Sequence, residues 1–175
     1  MAELRAVLAV AGIALGCAVA LAATNRLTEA PIEHNETAAE RAVLLHLLGA
    51  DFDDRVPAPD LAQQPAAWDY CGRVRLARLD VAGYGGPIRL LFTLPADGRL
   101  GRLALLSHQE TPGITDFLRD DAWLATLGNA KATELRSADA ITGATITSRA
   151  ITGGLASALE APEAFGAIHS LECPP

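Results

Sequence analysis

The first pattern along the chain is a block rather than a period. Ala6 through Ala23 is an uninterrupted run of 18 apolar residues, and no charged side chain falls between Arg5 and Arg26. At about 1.5 Å rise per residue, such a run is just long enough to cross a hydrocarbon layer of roughly 30 Å as a helix. The spacing predicts a transmembrane helix over 6–25, with 1–5 as a short cytoplasmic end. A cleaved signal peptide is the alternative for the same pattern, since Ala20, Ala22 and Ala23 offer an Ala-x-Ala-like site. The stretch 26–36 then turns polar and is expected as a juxtamembrane segment, a linker or the continuing helix, that leads away from the membrane, with Pro31 arguing for a break or kink unless it sits near a new helix start. Thr37-Ala38-Ala39-Glu40 has the form of a capping box, and Val43, Leu44, Leu47 and Leu48 follow at helical spacing. Pro57, Pro59 and Pro65 mark Asp51 to Trp68 as an irregular connection. Strand-like runs come next, at Arg73–Leu76 and Leu79–Val81 with a change of phase that suggests a bulge. Further strands are expected at Ile88–Leu94 and Leu100–Leu106, joined through an Asp97-Gly98 turn. Asp116–Leu127 reads as a helix with Phe117, Leu118, Trp123 and Leu124 to bury, and Arg149–Glu160 as another despite its glycines. The elements together predict an α+β domain over 37–175, an antiparallel sheet with flanking helices, behind one N-terminal transmembrane helix.

Charge and composition narrow the chemistry mostly by exclusion. The net charge is −7, Lys131 is the single lysine, and no basic cluster exists to bind nucleic acid. No Cys-x-x-Cys pair offers an iron–sulfur site, and no Gly-x-x-x-x-Gly-Lys loop offers nucleotide hydrolysis. No metal site is expected, and His46 reads as a helix-surface residue. Of the three cysteines, Cys17 lies inside the apolar run and is a small packing residue. Cys71 and Cys173 remain as a possible disulfide closing a loop of about 100 residues, worth at most roughly 4.7 kcal/mol in the chain-entropy account. A bridge there would place the domain in an oxidising compartment such as the bacterial periplasm; two unrelated thiols are the alternative.

The most informative local feature is Thr142-Gly143-Ala144-Thr145-Ile146-Thr147-Ser148. Gly143 and Ala144 let a bulky ligand approach the backbone, and the hydroxyls supply donors, acceptors and one potential ester oxygen. At the start of a helix the same residues face the positive end of the macrodipole, where a phosphate is favoured. The bland alternative is an ordinary N-capping loop. The ordering resembles the covalent-FMN motif, Ser/Thr-Gly-Ala-Ser/Thr-x-Thr/Ser, of membrane flavoproteins. A second segment, Ser107-His108-Gln109-Glu110-Thr111-Pro112-Gly113, is by itself a polar turn of type II form. It resembles the histidine-preceded Glu-Thr-Pro-Gly loop of the G subunit of the Rnf (Rsx) ion-translocating electron transport complex, although Ile114-Thr115 stands where that family usually shows Leu-Gly. Gly83-Tyr84-Gly85-Gly86-Pro87-Ile88 is similar to a glycine turn of the same family. A strand follows it, so it is read as a tight turn and not as a dinucleotide fingerprint.

That resemblance implies a membrane-anchored electron carrier whose FMN is esterified to Thr147. Thr142, Gly143, Ala144, Thr145, Ser148, His108, Glu110, Thr111, Pro112 and Gly113 would build the rest of the cofactor site. It implies no catalytic nucleophile in this chain. The chain would be an electron-transfer subunit of a translocase that couples ferredoxin/NAD electron exchange to ion movement, matured by a flavin transferase. Its partners would be other Rnf subunits, including a second flavinylated membrane subunit. The implied location is the bacterial inner membrane, with the soluble domain in the periplasm. The C subunit of a sodium-pumping NADH:quinone reductase, a flavin-free assembly subunit and a reversible ligand-binding module are the competing readings. A hydrolase built from Thr147 or Ser148 with His108 and Asp139 has the residue types but no supporting spacing.

Overall fold

The computed structural model describes residues 2–61, 67–112, 116–119, 122–166 and 168–173. The chain divides into two units, Met1–Glu40 and Arg41–Pro175. The first unit is helical throughout its described length, as part of helix α1 (Ala2–Leu48). Within it, Val10–Glu29 is long and apolar enough to cross a membrane, with a mean hydropathy of 1.6. Its apolar side chains, Val10, Ile13, Leu15, Val19 and Leu21 among them, are exposed. Residues 26–36 continue the helix, and the break expected at Pro31 does not occur. One missing N–H is tolerated between flanking stretches rich in good helix formers. The expected capping box at Thr37 to Glu40 likewise lies within continuous helix rather than at a helix start.

The second unit is a five-stranded sheet in the order β4-β3-β2-β1-β5. The strands are β1 (Ala67–Tyr70), β2 (Val74–Ala82), β3 (Pro87–Leu94), β4 (Leu103–His108) and β5 (His169–Leu171). Neighbours run antiparallel except β1 and β5, which are parallel. β2 is one unbroken strand in register with β3 from Arg75↔Leu94 to Ala82↔Pro87, so the bulge expected after Leu76 is absent. The register shift lies instead between β3 and β4, at Arg89/Leu90. The chain between β4 and the C-terminal region carries α2 (Asp116–Arg119), α3 (Ala122–Thr126) and α4 (Ala132–Arg136), followed by the long helix α5 (Thr145–Glu160). The single helix expected over Asp116–Leu127 is thus two short ones flanking residues outside the described set.

Both faces of the sheet are covered. Ala77, Ile88, Leu90, Phe92 and Leu103 point toward Ile151 and Leu155 of α5 and toward Leu118, Leu124 and Leu135. On the other face, Trp68, Tyr70, Leu76, Leu91 and Ala104 meet Leu44, Leu47 and Leu48, together with Val56 and Leu61. Alternate residues of each strand therefore serve opposite cores, as the period of two requires. Helix α5 lies close to β2 at Gly154, where a Cβ would stand 2.5 Å from Val81 Cγ1. Cys71 and Cys173 are joined in a disulfide that ties the β1–β2 turn to the chain after β5. At the end of α1, Arg102 Nη1 donates to the His46 carbonyl (3.1 Å), satisfying one of the last-turn acceptors.

Candidate functional site

The end of the sheet that carries the β2–β3 turn and the last residue of β4 also receives the N-terminus of α5. What binds these pieces is Glu110. This residue is 5% exposed, and its carboxylate accepts three hydrogen bonds. The backbone N–H of Tyr84 donates to Oε1 (2.7 Å) and that of Gly85 to Oε2 (2.9 Å). Thr147, 37 residues farther along, donates its hydroxyl to Oε1 (3.0 Å). Short, charge-assisted bonds of this kind allow a carboxylate to be buried. His108 supports the arrangement, its Nδ1 accepting the N–H of Glu110 at 3.3 Å.

The glycines of the turn are there because Glu110 needs the room. A Cβ on Gly83 would collide with Glu110 Oε1, and one on Gly85 would stand 2.8 Å from the Gln109 carbonyl oxygen. The turn is closed by the Gly83 N–H donating to the Gly86 carbonyl at 2.9 Å. Residues 83–86, read from sequence as a glycine turn alone, therefore also supply the two backbone donors of the carboxylate clasp. The sequence signal was the pair of glycines flanking Tyr84, but nothing local to them specified the acceptor.

The Thr142–Ser148 motif divides into an inner and an outer set. Ser148 is buried; its Oγ accepts the Ile141 N–H (3.1 Å) and donates to the Ala144 carbonyl (2.9 Å). It closes the turn into α5 rather than facing a ligand. Thr147, the expected ester residue, is also fully buried, and its hydroxyl is the one in the motif that donates to a carboxylate. A phosphate can reach that oxygen only when the bond to Glu110 is given up and the first turn of α5 parts from the loop. Ala144 is buried beneath the turn. Thr142, Gly143 and Thr145 form the outer set, all exposed. Gly143 takes a φ of +85°, a conformation that favours glycine, and open space surrounds it. Thr111 and Pro112 are exposed near Glu110, while Gly113 lies outside the described residues, as do Ile114 and Thr115.

Helix α5 starts directly behind this outer set, and its N-cap residue, Ala144, makes no side-chain cap bond. The N–H groups of the first turn of α5, an open glycine and two exposed threonine hydroxyls fit a phosphate group held there. The residues present thus suit the phosphate end of FMN. They do not assemble the hydrolytic alternative: Thr147 donates to Glu110 rather than to His108, whose Nδ1 is taken by a backbone N–H. Among the described residues no cluster of His, Cys, Asp and Glu could hold a metal ion. A cavity of about 800 Å³ lies at the opposite end of the sheet, beside Arg73, Arg75 and Arg102, and includes no motif residue.

Known proteins match this chain over the same elements. The FMN-binding domain family matches residues 83–160, from the first glycine of the β2–β3 turn to the last residue of α5. The G subunit of an ion-translocating oxidoreductase complex from Cereibacter sphaeroides is 31% identical over 173 aligned positions, covering 82% of this chain and 79% of that protein. The corresponding G subunit from Stutzerimonas stutzeri is 32% identical, covering 82% and 73%. The G subunit of a proton-translocating ferredoxin:NAD(+) oxidoreductase complex from Clostridium ljungdahlii is 36% identical over 92 positions, covering 47% of this chain and half of that protein. With its FMN-binding domain in the matched segment and its likeness to these relatives running through most of its length, the chain belongs to the family of G subunits of Rnf-type ion-translocating oxidoreductase complexes.

Proposed function

We propose that this protein is a membrane-anchored electron carrier that holds FMN covalently at the N-terminus of α5, through Thr147 Oγ1. The observation that carries the choice of residue is the hydrogen bond from the Thr147 hydroxyl to Glu110 Oε1 at 3.0 Å. Esterification replaces the O–H bond of Thr147 by an O–P bond to the flavin phosphate, with net loss of one water, and the hydroxyl proton has Glu110 as its first acceptor. Ser148 is spent on closing the turn, and Thr142 and Thr145 are exposed alcohols with no such carboxylate contact among the described residues. The N-terminal N–H groups of α5 and the open backbone at Gly143 favour the anionic ester end. Giving up the bond to Glu110 costs about 1.5–3 kcal/mol. A second reading is favoured by exposure alone: Thr145 is the exposed first residue of α5 and needs no opening to be esterified.

Bound flavin supplies one- and two-electron chemistry, and the protein supplies position and electrostatic surroundings. A tether at the N-terminus of α5 suits a carrier that passes electrons between neighbouring subunits, since the ring end can reach a partner while the phosphate end stays fixed. The apolar stretch Val10–Glu29 serves in this reading as a single membrane anchor. The disulfide favours a periplasmic domain, and the inner membrane as location. Partners are the other subunits of an Rnf-type complex, including a second flavinylated one, with a flavin transferase needed for maturation. The apolar stretch carries no charge before Arg26, so ion movement belongs to other subunits.

The test is peptide mapping and intact mass of the full chain coexpressed with a flavin transferase. The parent and Thr145→Val should gain the mass of FMN less one water, and Thr147→Val should not. Loss of the adduct in Thr145→Val, with retention in Thr147→Val, would move the ester to the outer hydroxyl.

A further inference from the structure

The glycine turn presents one side chain to solvent, and it is an aromatic one. Tyr84 is 68% exposed, while Tyr70, the other tyrosine, is buried and bonded to the backbone of Asp53. The Tyr84 backbone has little freedom: its N–H is held by Glu110 Oε1, that of Gly85 by Oε2, and Gly83 is bonded across to Gly86. Tyr84 and the buried hydroxyl of Thr147 share a single acceptor atom, each within 3.0 Å of Glu110 Oε1. The Tyr84 backbone is therefore anchored beside the first turn of α5. From that same turn Ile146, between Thr145 and Thr147, stands 58% exposed. Two large side chains left in water, on segments that meet at one buried carboxylate oxygen, leave a surface that a flat apolar occupant would cover.

We propose that Tyr84 and Ile146 form the seat for the isoalloxazine ring of the flavin, with the Tyr84 phenol stacked on the ring and Ile146 against its edge. This rests on the reading of α5 as the phosphate anchor, because the occupant must be tethered within reach of the seat. The chemistry of the pair suits a planar heteroaromatic with a polar tail. An aromatic face gives a stacking contact, and the isoleucine excludes water from one edge. The seat makes Tyr84 a positioning residue for electron exchange: it selects which face of the flavin meets a partner.

Emission of the loaded chain tests this. A phenol in van der Waals contact with flavin donates an electron to its excited state and takes it back in the dark, so a seated ring is dim. Full-length parent, Tyr84→Leu and Tyr84→Trp are each coexpressed with a flavin transferase, and the emission per FMN counted by intact mass is compared. Tyr84→Leu should brighten by about tenfold, the population ratio a stacking contact of this class sustains. Tyr84→Trp, which keeps a stacking electron donor, should stay dim. A Tyr84→Leu chain carrying full FMN but as dim as the parent would overturn the seat alone. So would unchanged emission accompanied by loss of association with the other subunits, which would make Tyr84 a protein contact. A parent chain without adduct would remove the tethering reading first, and this one with it.

Discussion

Replacing Glu110 by glutamine tests whether the clasp organises the site. Glutamine keeps the size of the side chain but offers one acceptor oxygen and one donating NH₂ in place of two acceptors. If its oxygen takes the Oε1 position, Tyr84 and Thr147 keep their acceptor, and the Gly85 N–H faces a donor. Flipped, it serves Gly85 and leaves both others facing a donor. Either way at least one backbone N–H is stranded beside a residue only 5% exposed. Hydrogen bonds to a charged acceptor contribute about 1.5–3 kcal/mol, and an unsatisfied buried donor costs about 1–3 kcal/mol. Glu110→Gln should therefore destabilise the domain by about 2–3 kcal/mol, lowering Tm by roughly 4–12 °C for a chain of this size. Trp68 and Trp123 both lie in the unit Arg41–Pro175, so their emission reports its unfolding in the full chain in detergent micelles. Thr147→Val removes one donor and leaves the carboxylate its two backbone partners, and should cost only about 1 kcal/mol. A Gln variant within about 0.5 kcal/mol of the parent would mean that water or a shifted turn satisfies these donors, and the clasp account would be wrong.

Three further outcomes follow from other parts of the fold. The disulfide between Cys71 and Cys173 spans 102 residues, so Cys173→Ser should cost about 2–5 kcal/mol in chemical denaturation and release β5, seen as faster amide exchange at His169–Leu171. Adjacent glycines of α5 should respond oppositely to alanine. Gly153→Ala meets nothing within 4 Å and should stabilise by about 0.5–1 kcal/mol, whereas Gly154→Ala drives a Cβ to 2.5 Å from Val81 Cγ1 and should destabilise by about 1–2 kcal/mol. Equal effects in thermal unfolding would show that α5 does not lie against β2 in this way. Asp53 is held at a pKa of about 2, below its ordinary 3.8, first by the Arg55 guanidinium and then by the Arg55 backbone N–H. Its contribution to stability is present above about pH 4 and disappears as the pH falls toward 2. Arg55→Met should raise the Asp53 pKa in an NMR titration and flatten the pH dependence of unfolding in that window.

The division between what the sequence disclosed and what it concealed follows the range of the interactions involved. The apolar run, the β2–β3 and β3–β4 hairpins, the helix after the hydroxyl motif and the motif itself were legible because each is written in consecutive residues. The bulge was misplaced for a physical reason. Leu76 and Ala77 are both buried because both sheet faces are covered, so β2 loses the alternation that would have marked it as one strand. β1, β5 and α4 were missed because they span only four, three and five residues. β5 pairs in parallel with a strand about 100 positions away, next to the disulfide, so no local turn announces it. The Glu110 clasp was hidden on the same grounds, since its donors come from 26, 25 and 37 positions away.

That clasp gives the two threonines of the motif different chemistry. Thr145 and Thr147 carry the same functional group two positions apart, and their immediate neighbours contain no physical reason to prefer either. Glu110 separates them: its carboxylate arrives from 37 residues upstream and takes the hydroxyl of Thr147, while Thr145 stays an exposed alcohol. On the proposed reading the Glu-Thr-Pro-Gly loop helps determine which oxygen is modified, by placing a proton acceptor against one of the two. The same bond also protects the unmodified chain, because until it opens the oxygen is out of reach of solvent. Once Thr147 is esterified it no longer donates, and Glu110 retains only the Tyr84 and Gly85 N–H groups, the two that fix the glycine turn. Attachment of the flavin would therefore remove one hydrogen bond from the clasp while leaving the turn that bears Tyr84 in place.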